Sequence, residues 1–379
     1  MGRCLHRYFA TCARGLESVL ADELRALKAR EVTVGRGGVH FQGNLTTLYQ
    51  ANLWLRTAVR VLQPIHEADV QSPDELYAMV KALDWSHYMT PRHTLAVDCN
   101  VRDSAITHSR YAALRVKDAI CDQFIERVGK RPSVDVERPM VGLNLHIHQN
   151  HAVLSLDSSG DSLHKRGYRP IQTKAPLNEA LAAGLVQLTG WRGDVPFVDP
   201  MCGSGTLCIE AAWLALDRPP GLTRKHFGFQ GWMNYDVGLW TKLRDEARRG
   251  VTKALPQPIL GYDVRRDAVM HAQQNARAAG IGNLLRFAVR DVKDFQPPEG
   301  PPGVILCNPP YGERLGEEKD LIPLYQALGE MIDRCAGWKV FVFIGNAFLA
   351  RQIRHKPVSA VELFNGKLRC RLAEFSAVE

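Results

Sequence analysis

Val195-Pro-Phe-Val-Asp199-Pro-Met-Cys202-Gly203-Ser204-Gly205-Thr206-Leu decides the fold of the C-terminal half of this chain. The apolar run reads as a strand, the glycines as a tight turn, and Thr206 onward as a helix through Ile209-Glu-Ala-Ala-Trp-Leu-Ala. Glycine lets the backbone approach a ligand closely, and the free N–H groups of a first helical turn attract anionic or polar groups. A dinucleotide turn needs Gly-x-Gly-x-x-Gly, but Cys208 stands where the third glycine belongs. A P-loop needs a lysine, and the turn has none. Asp199 would repel a pyrophosphate and suits a ligand with a cationic group, such as the methionine end of S-adenosylmethionine.

Further strands downstream end on residues of the same kind. Ile259-Leu-Gly-Tyr-Asp263 places an acid where a ribose hydroxyl pair is usually held. The distance from Gly205 exceeds the customary spacing of about 20 residues, which an insertion over 216–258 explains. Arg286-Phe-Ala-Val-Arg-Asp291 offers an acceptor for an adenine amino group. Helical patterns over 177–188, 266–279 and 321–335 alternate with these strands, so the half reads as a doubly wound, mainly parallel sheet. In such sheets ligands lie beyond the carboxyl ends of the strands, where Asp199, Asp263 and Asp291 fall.

Val304-Ile-Leu-Cys-Asn308-Pro309-Pro310-Tyr311-Gly is the cluster that carries chemistry. Two prolines hold the backbone extended after a buried strand, orienting the Asn308 side chain and the Pro309 carbonyl. Those two oxygens can accept the hydrogens of an NH₂ group and leave its nitrogen lone pair free to attack an electrophilic methyl. Tyr311 offers a ring on which a flipped base can stack. Such a transfer depends mainly on alignment, which can lower a barrier by about 7–11 kcal/mol. The catalytic candidates are therefore Asn308, Pro309, Pro310 and Tyr311.

The N-terminal half alternates differently. Strand, helix, strands and helix over 8–63 describe a small α+β unit, with helical periodicity expected over Leu45 to Leu62. A second α+β unit follows, with a Ser72-capped helix, a strand from Leu95, a helix over Arg110 to Val128, and two strands meeting at Gln149-Asn150. Asp161 to Lys174 is polar, basic and linker-like. The 379 residues carry a net charge of +8, spread over both halves, which favours an anionic partner such as nucleic acid. Nine cysteines without a Cys-x-x-Cys pair indicate neither a zinc ribbon nor a disulfide framework. No apolar run is long enough to cross a bilayer, and no leader is evident, so a cytoplasmic location and no membrane partner are expected. His146, His148 and His151 lack a completing acid or cysteine, so no metal is expected there. Phe227, Phe229 and Trp232 in the insertion either form an RNA-stacking surface or pin the loop onto the sheet domain.

Asp199-Pro-Met-Cys-Gly-Ser-Gly-Thr and Asn308-Pro-Pro-Tyr-Gly-Glu-Arg-Leu-Gly resemble the cofactor and catalytic motifs of THUMP-containing RNA guanine-N2 methyltransferases. Phe9-Ala-Thr-Cys-Ala-Arg-Gly-Leu-Glu, Gly37-Gly-Val-His-Phe, Tyr111-Ala-Ala-Leu-Arg-Val-Lys-Asp-Ala-Ile and Leu163-His-Lys-Arg-Gly-Tyr-Arg resemble the RlmL half of RlmKL-type enzymes. The resemblance implies an α/β chain: a ferredoxin-like domain over 1–66, a THUMP domain over 67–165, and a Rossmann-like methyltransferase sheet over 166–379. It implies S-adenosylmethionine as cofactor, held by Pro176, Asp199, Cys202, Gly203, Ser204, Gly205, Thr206, Asp263, Asp291 and Asn308. Pro176-Leu-Asn-Glu-Ala-Leu-Ala matches the segment that closes over the methionine end. The implied product is N2-methylguanosine in 23S rRNA or a pre-ribosomal large-subunit particle. Lys165, Arg166, Arg169, Arg224 and Lys225 are the candidate RNA contacts. A tRNA guanosine, another exocyclic amino group, or a non-catalytic ribosome-assembly role are the alternatives.

Overall fold

The computed structural model describes residues 5–169, 177–312 and 317–377; Pro176 lies outside them. The N-terminal half folds around strands β1 (His6–Cys12), β2 (Arg30–Gly35), β3 (Gly38–Gly43), β4 (Ala58–Asp69), β5 (Thr94–Arg102), β6 (Ser133–Val134), β7 (Val141–His148) and β8 (His151–Asp157). They form one sheet in the order β2-β3-β1-β4-β8-β7-β5-β6. Helices α1 (Glu17–Ala26), α2 (Leu45–Trp54), α3 (Pro73–Lys81) and α4 (Ser109–Val128) accompany it. Ser72 caps α3 through the Glu75 N–H, with Pro73 in the first turn. Gln149 and Asn150 both have positive φ, at 52° and 64°, as a two-residue hairpin of primed type requires.

The boundary expected at 66/67 falls inside β4. This strand pairs with β1 up to Leu62 and with β8 from Leu62 to Asp69, so the sheet runs unbroken from the ferredoxin-like to the THUMP part. The helix expected over Leu45 to Leu62 stops at Trp54. Glu23 of α1 accepts from the Arg56 N–H at 3.2 Å, the Thr57 N–H at 3.2 Å and the Thr57 hydroxyl at 2.7 Å. A carboxylate distant in sequence thus satisfies the backbone donors that a longer helix would have used.

The C-terminal half has α5 (Glu179–Leu188), β9 (Phe197–Asp199), α6 (Thr206–Ala215), α7 (Val237–Gly250), β10 (Ile259–Asp263), α8 (Arg266–Ala278), β11 (Arg286–Val289) and β12 (Val304–Cys307). Then come α9 (Glu317–Asp320), α10 (Ile322–Arg334), β13 (Lys339–Ile344), α11 (Ala347–Ala350), β14 (Ser359–Asn365) and β15 (Leu368–Phe375). The sheet order is β11-β10-β9-β12-β13-β15-β14. The first five strands are parallel, and β15 and β14 close the edge antiparallel. The chain winds outward from β9 in one direction and resumes at β12 in the other, so the crevice between them is the topological switch point.

The insertion over 216–258 does neither of the things expected of it. Phe227, Phe229, Trp232 and Trp240 are buried in the core of the N-terminal sheet. Phe229 stacks on Tyr49 of α2 at 4.4 Å between centroids, and Trp240 meets the same ring edge-on at 5.7 Å. The insertion therefore straps the catalytic half onto the N-terminal half, and its large aromatic rings are spent on that packing.

Candidate active site

Asp199, Asp263, Asp291 and Asn308 stand at or just past the carboxyl ends of β9, β10, β11 and β12, four adjacent strands. At about 4.8 Å per strand this row spans roughly 14 Å, the scale of an extended nucleoside ligand. Gly205 has φ of 83° and lies where a Cβ would meet Ala272 of α8 at 3.0 Å, so α6 can start only on glycine. The turn is tied to its neighbour: the Gly203 N–H donates to Asp263 Oδ2 at 2.9 Å, and the Cys202 N–H to the Tyr262 carbonyl at 2.7 Å. Asn275 of α8, fully buried, donates to the Ser204 carbonyl at 3.0 Å.

Asp199 is 1% exposed, and among the described residues its carboxylate accepts from the Met201 N–H at 3.0 Å alone. Burial pushes its carboxyl well above the ordinary 3.8, and neighbouring Asp263 adds to the effect. A buried carboxylate with so little compensation is a site for a cationic group, which would hold it ionised. The donor set thus fits S-adenosylmethionine: Asp199 toward the positively charged end, the Gly203–Thr206 turn against the ligand, and Asp263 toward the ribose. Asp291 is half-buried and caps a short turn through the Lys293 N–H at 3.0 Å, leaving its other oxygen for an adenine amino group. Burial raises the Cys202 thiol far above its usual range, so it lines the turn as a neutral group.

Asn308 follows β12 directly, at the switch point where β12 neighbours the strand that ends on Asp199. The expected open ring of Tyr311 is not what the structure holds. Tyr311 is 9% exposed, packed edge-on against Phe343 at 6.1 Å, and its hydroxyl donates to Asn308 Oδ1. The tyrosine thus takes one lone pair of the acceptor meant for a target amino group, and its ring is largely covered in this arrangement. Two residues that local motif reading passed over hold this loop. Tyr325 of α10 donates to the Pro310 carbonyl at 3.1 Å, and Asn346, just after β13, donates to the Tyr311 carbonyl at 3.4 Å. Asn346 carried a signal, being a polar residue at yet another strand end.

Three of the five RNA-contact candidates are buried and engaged. Arg166 is 1% exposed, lies 3.6 Å from Glu210 of α6, and donates to the Leu163 and Arg56 carbonyls. Arg224 donates to the carbonyls of Ser159, Asp161, Ser162 and Lys165. Arg169 pairs with Glu179 at 3.4 Å and donates to the Leu177 carbonyl and the Thr206 hydroxyl. These guanidinium groups stitch the linker to the catalytic half and face no solvent that an RNA phosphate could occupy. Lys165 and Lys225 are exposed and stay candidates. His148 lies 3.7 Å from Asp103 and His151 2.8 Å from Asp69, surface ion-pair positions on the hairpin.

A nucleoside-binding row at a switch point, followed by Asn-Pro-Pro-Tyr, defines a Rossmann-like methyltransferase using S-adenosylmethionine. Residues 166–374 match the RMKL-like methyltransferase domain, 7–62 the RlmL ferredoxin-like domain and 70–157 the THUMP domain. The chain belongs to the RMKL-like methyltransferase family. It is 49% identical to the ribosomal RNA large subunit methyltransferase K/L of Syntrophotalea carbinolica (strain DSM 2380 / NBRC 103641 / GraBd1), over 98% of this chain and 54% of that protein. The chain thus spans about half the length of that K/L relative. It is 41% identical to a putative RNA methyltransferase of Synechocystis sp. (strain ATCC 27184 / PCC 6803 / Kazusa), over 97% and 96% of the two chains. Among solved structures, SMU.472, a putative methyltransferase complexed with SAH, superposes with a TM-score of 0.90 at 31% identity over the whole of both chains.

Proposed function

We propose that the chain transfers a methyl group from S-adenosylmethionine to the N2 amino group of a guanosine in 23S rRNA, free or in an assembling large-subunit particle. The observation that carries the chemistry is Asn308, placed directly after β12 at the switch point beside the buried Asp199. When bound, S-adenosylmethionine would supply an electrophilic methyl on a sulfonium, and the amino nitrogen that takes it would give its extra proton to solvent water. Asn308 Oδ1 accepts one amino hydrogen, which turns the nitrogen lone pair toward that methyl. Pro309 and Pro310 keep this acceptor in place. The Tyr311 hydroxyl uses one of the two lone pairs of Asn308 Oδ1 and competes with the target amino group for its position. Ribosomal RNA is supported by the name of the K/L relative and RNA by the THUMP match, while the guanine rests on the resemblance of the Asp199 and Asn308 motifs to guanine-N2 methyltransferases.

The test is Asn308→Ala. Cofactor binding by calorimetry should persist while turnover on 23S rRNA falls at least a hundredfold, since the variant leaves the cofactor turn intact. Turnover within threefold of the natural chain would mean that Asn308 is not the acceptor.

A further inference from the structure

The motif Cys12-Ala-Arg14-Gly15-Leu-Glu17 takes no part in the site described above, yet it is held more firmly than a loop between β1 and α1 needs to be. Glu17 accepts from the Gly15 N–H at 2.6 Å and from the Gly37 N–H at 3.0 Å. Gly15 has φ of 93°, and a Cβ there would sit 2.4 Å from the Glu362 carbonyl of β14. The loop is thus pressed against the β14–β15 hairpin of the catalytic half, and the Phe364 N–H donates to the Arg14 carbonyl at 3.1 Å. The Arg14 guanidinium lies 4.3 Å from the centre of the Phe364 ring.

Beside this junction opens a cleft of about 440 Å³. Its walls are Cys12, Ala13 and Arg14 from the first domain, Asn178, Ala180 and Leu181 at the start of α5, and the hairpin tip Phe364-Asn365-Gly366. The size falls within the range of about 300–1,000 Å³ of small-ligand sites. Among the described residues its wall contains no carboxylate and Arg14 forms no ion pair. Cys12 adds no charge, because burial pushes its thiol up to about 12. The cleft therefore offers one cation without an ion pair, the Phe364 ring, and the side-chain amides of Asn365 and of Asn178, whose oxygen already caps α5.

Its position links it to the chemistry. Leu368, two residues past the hairpin tip, and the Tyr311 ring both crowd Gly345, where a Cβ would come within 2.9 Å of the one and 2.8 Å of the other. The β14–β15 hairpin thus borders both the cleft and the Tyr311 loop.

We propose that the cleft binds one nucleotide of the RNA substrate flanking the target, with its base between the hairpin tip and the start of α5 and its phosphate on Arg14. This rests on the RNA reading above. A guanidinium is suited to a phosphate, and Phe364 keeps it aimed. The hydrogen bonds of Glu17 to the Gly15 and Gly37 N–H groups and of Phe364 to the Arg14 carbonyl hold the Arg14 loop against the hairpin.

The experiment is filter binding of an in vitro transcript of 23S rRNA to the full chain at several salt concentrations. Arg14→Ala should weaken binding about five- to tenfold and lower the salt slope by about one unit. Arg14→Lys should restore the slope, and Lys339→Ala, at the opposite end of the sheet, should match the natural chain. A transcript carrying 4-thiouridine should crosslink to the peptide containing Phe364 in the natural chain, a readout independent of any variant's folding. Unchanged affinity and slope in Arg14→Ala, or crosslinks only elsewhere, overturn the cleft. Failure of the natural chain to bind the transcript overturns the RNA reading itself, with the cleft proposal.

Discussion

Replacing Arg169 by methionine separates the role the structure gives this residue from the RNA contact that its sequence context invites. Its guanidinium and Glu179 are each 8% exposed in their side chains and 3.4 Å apart. Burial already pushes the Glu179 carboxyl up, and Arg169 is the main influence holding it down. Breaking such a pair from one side costs about 3–5 kcal/mol, because the remaining charge is left without a partner. Two further acceptors lose their donor: the Leu177 carbonyl before α5 and the Thr206 hydroxyl at the first residue of α6. If about 1.4 kcal/mol of the loss falls on the cofactor turn, the Kd for S-adenosylmethionine rises tenfold. Urea denaturation and calorimetry measure the two effects. The double change Arg169→Met with Glu179→Gln removes the orphaned charge, so it should recover most of the stability while cofactor affinity stays low, since Thr206 and Leu177 still lack their donor. The reasoning is refuted if Arg169→Met has natural stability and cofactor affinity but weakened RNA binding.

Three other outcomes follow from the same geometry. Tyr311→Phe frees Asn308 Oδ1 from a bond worth about 0.5–1.5 kcal/mol, so kcat/KM for RNA should rise about two- to tenfold; a tenfold fall would place the hydroxyl in the chemistry itself. The Asp199 carboxyl is raised above 3.8 and must ionise to hold a cationic ligand, so cofactor affinity should climb as pH rises until that carboxyl is ionised in the free protein. By the same sign the unliganded fold gains a penalty from Asp199 as pH rises above 3.8, and Asp199→Asn should flatten both profiles. Trp240→Ala, deep in the N-terminal core although carried by the insertion, should cost about 3–5 kcal/mol by urea denaturation; a loss under 1 kcal/mol would mean the strap carries little of the stability.

What the amino-acid order disclosed was whatever depends on near neighbours. The strand-turn-helix at Asp199 to Thr206, the Ser72 cap, the Gln149-Asn150 hairpin and the acids at strand ends are each written within a dozen residues, and all stand in the structure. What escaped was decided by distant contacts. The helix expected over Leu45 to Leu62 gave way to a strand that crosses the expected boundary, and β4 carries Pro64 beside a register shift between Pro64 and His66. The aromatic residues of the insertion gave no sign that their partner was Tyr49, nor could a run of arginines announce that its counter-charges sit on α5 and α6. Tyr311 was recognised by motif, but its inward turn depends on Phe343 and Gly345, more than thirty residues further on.

The central claim is that this chain methylates the N2 amino group of an rRNA guanosine. Mass spectrometry of nucleosides from 23S rRNA, isolated from cells lacking the gene and from the same cells complemented with it, tests that directly. N2-methylguanosine should be lower without the gene and return on complementation with the natural chain but not with Asn308→Ala. An unchanged N2-methylguanosine level, or a change confined to a different methylated nucleoside, would contradict it.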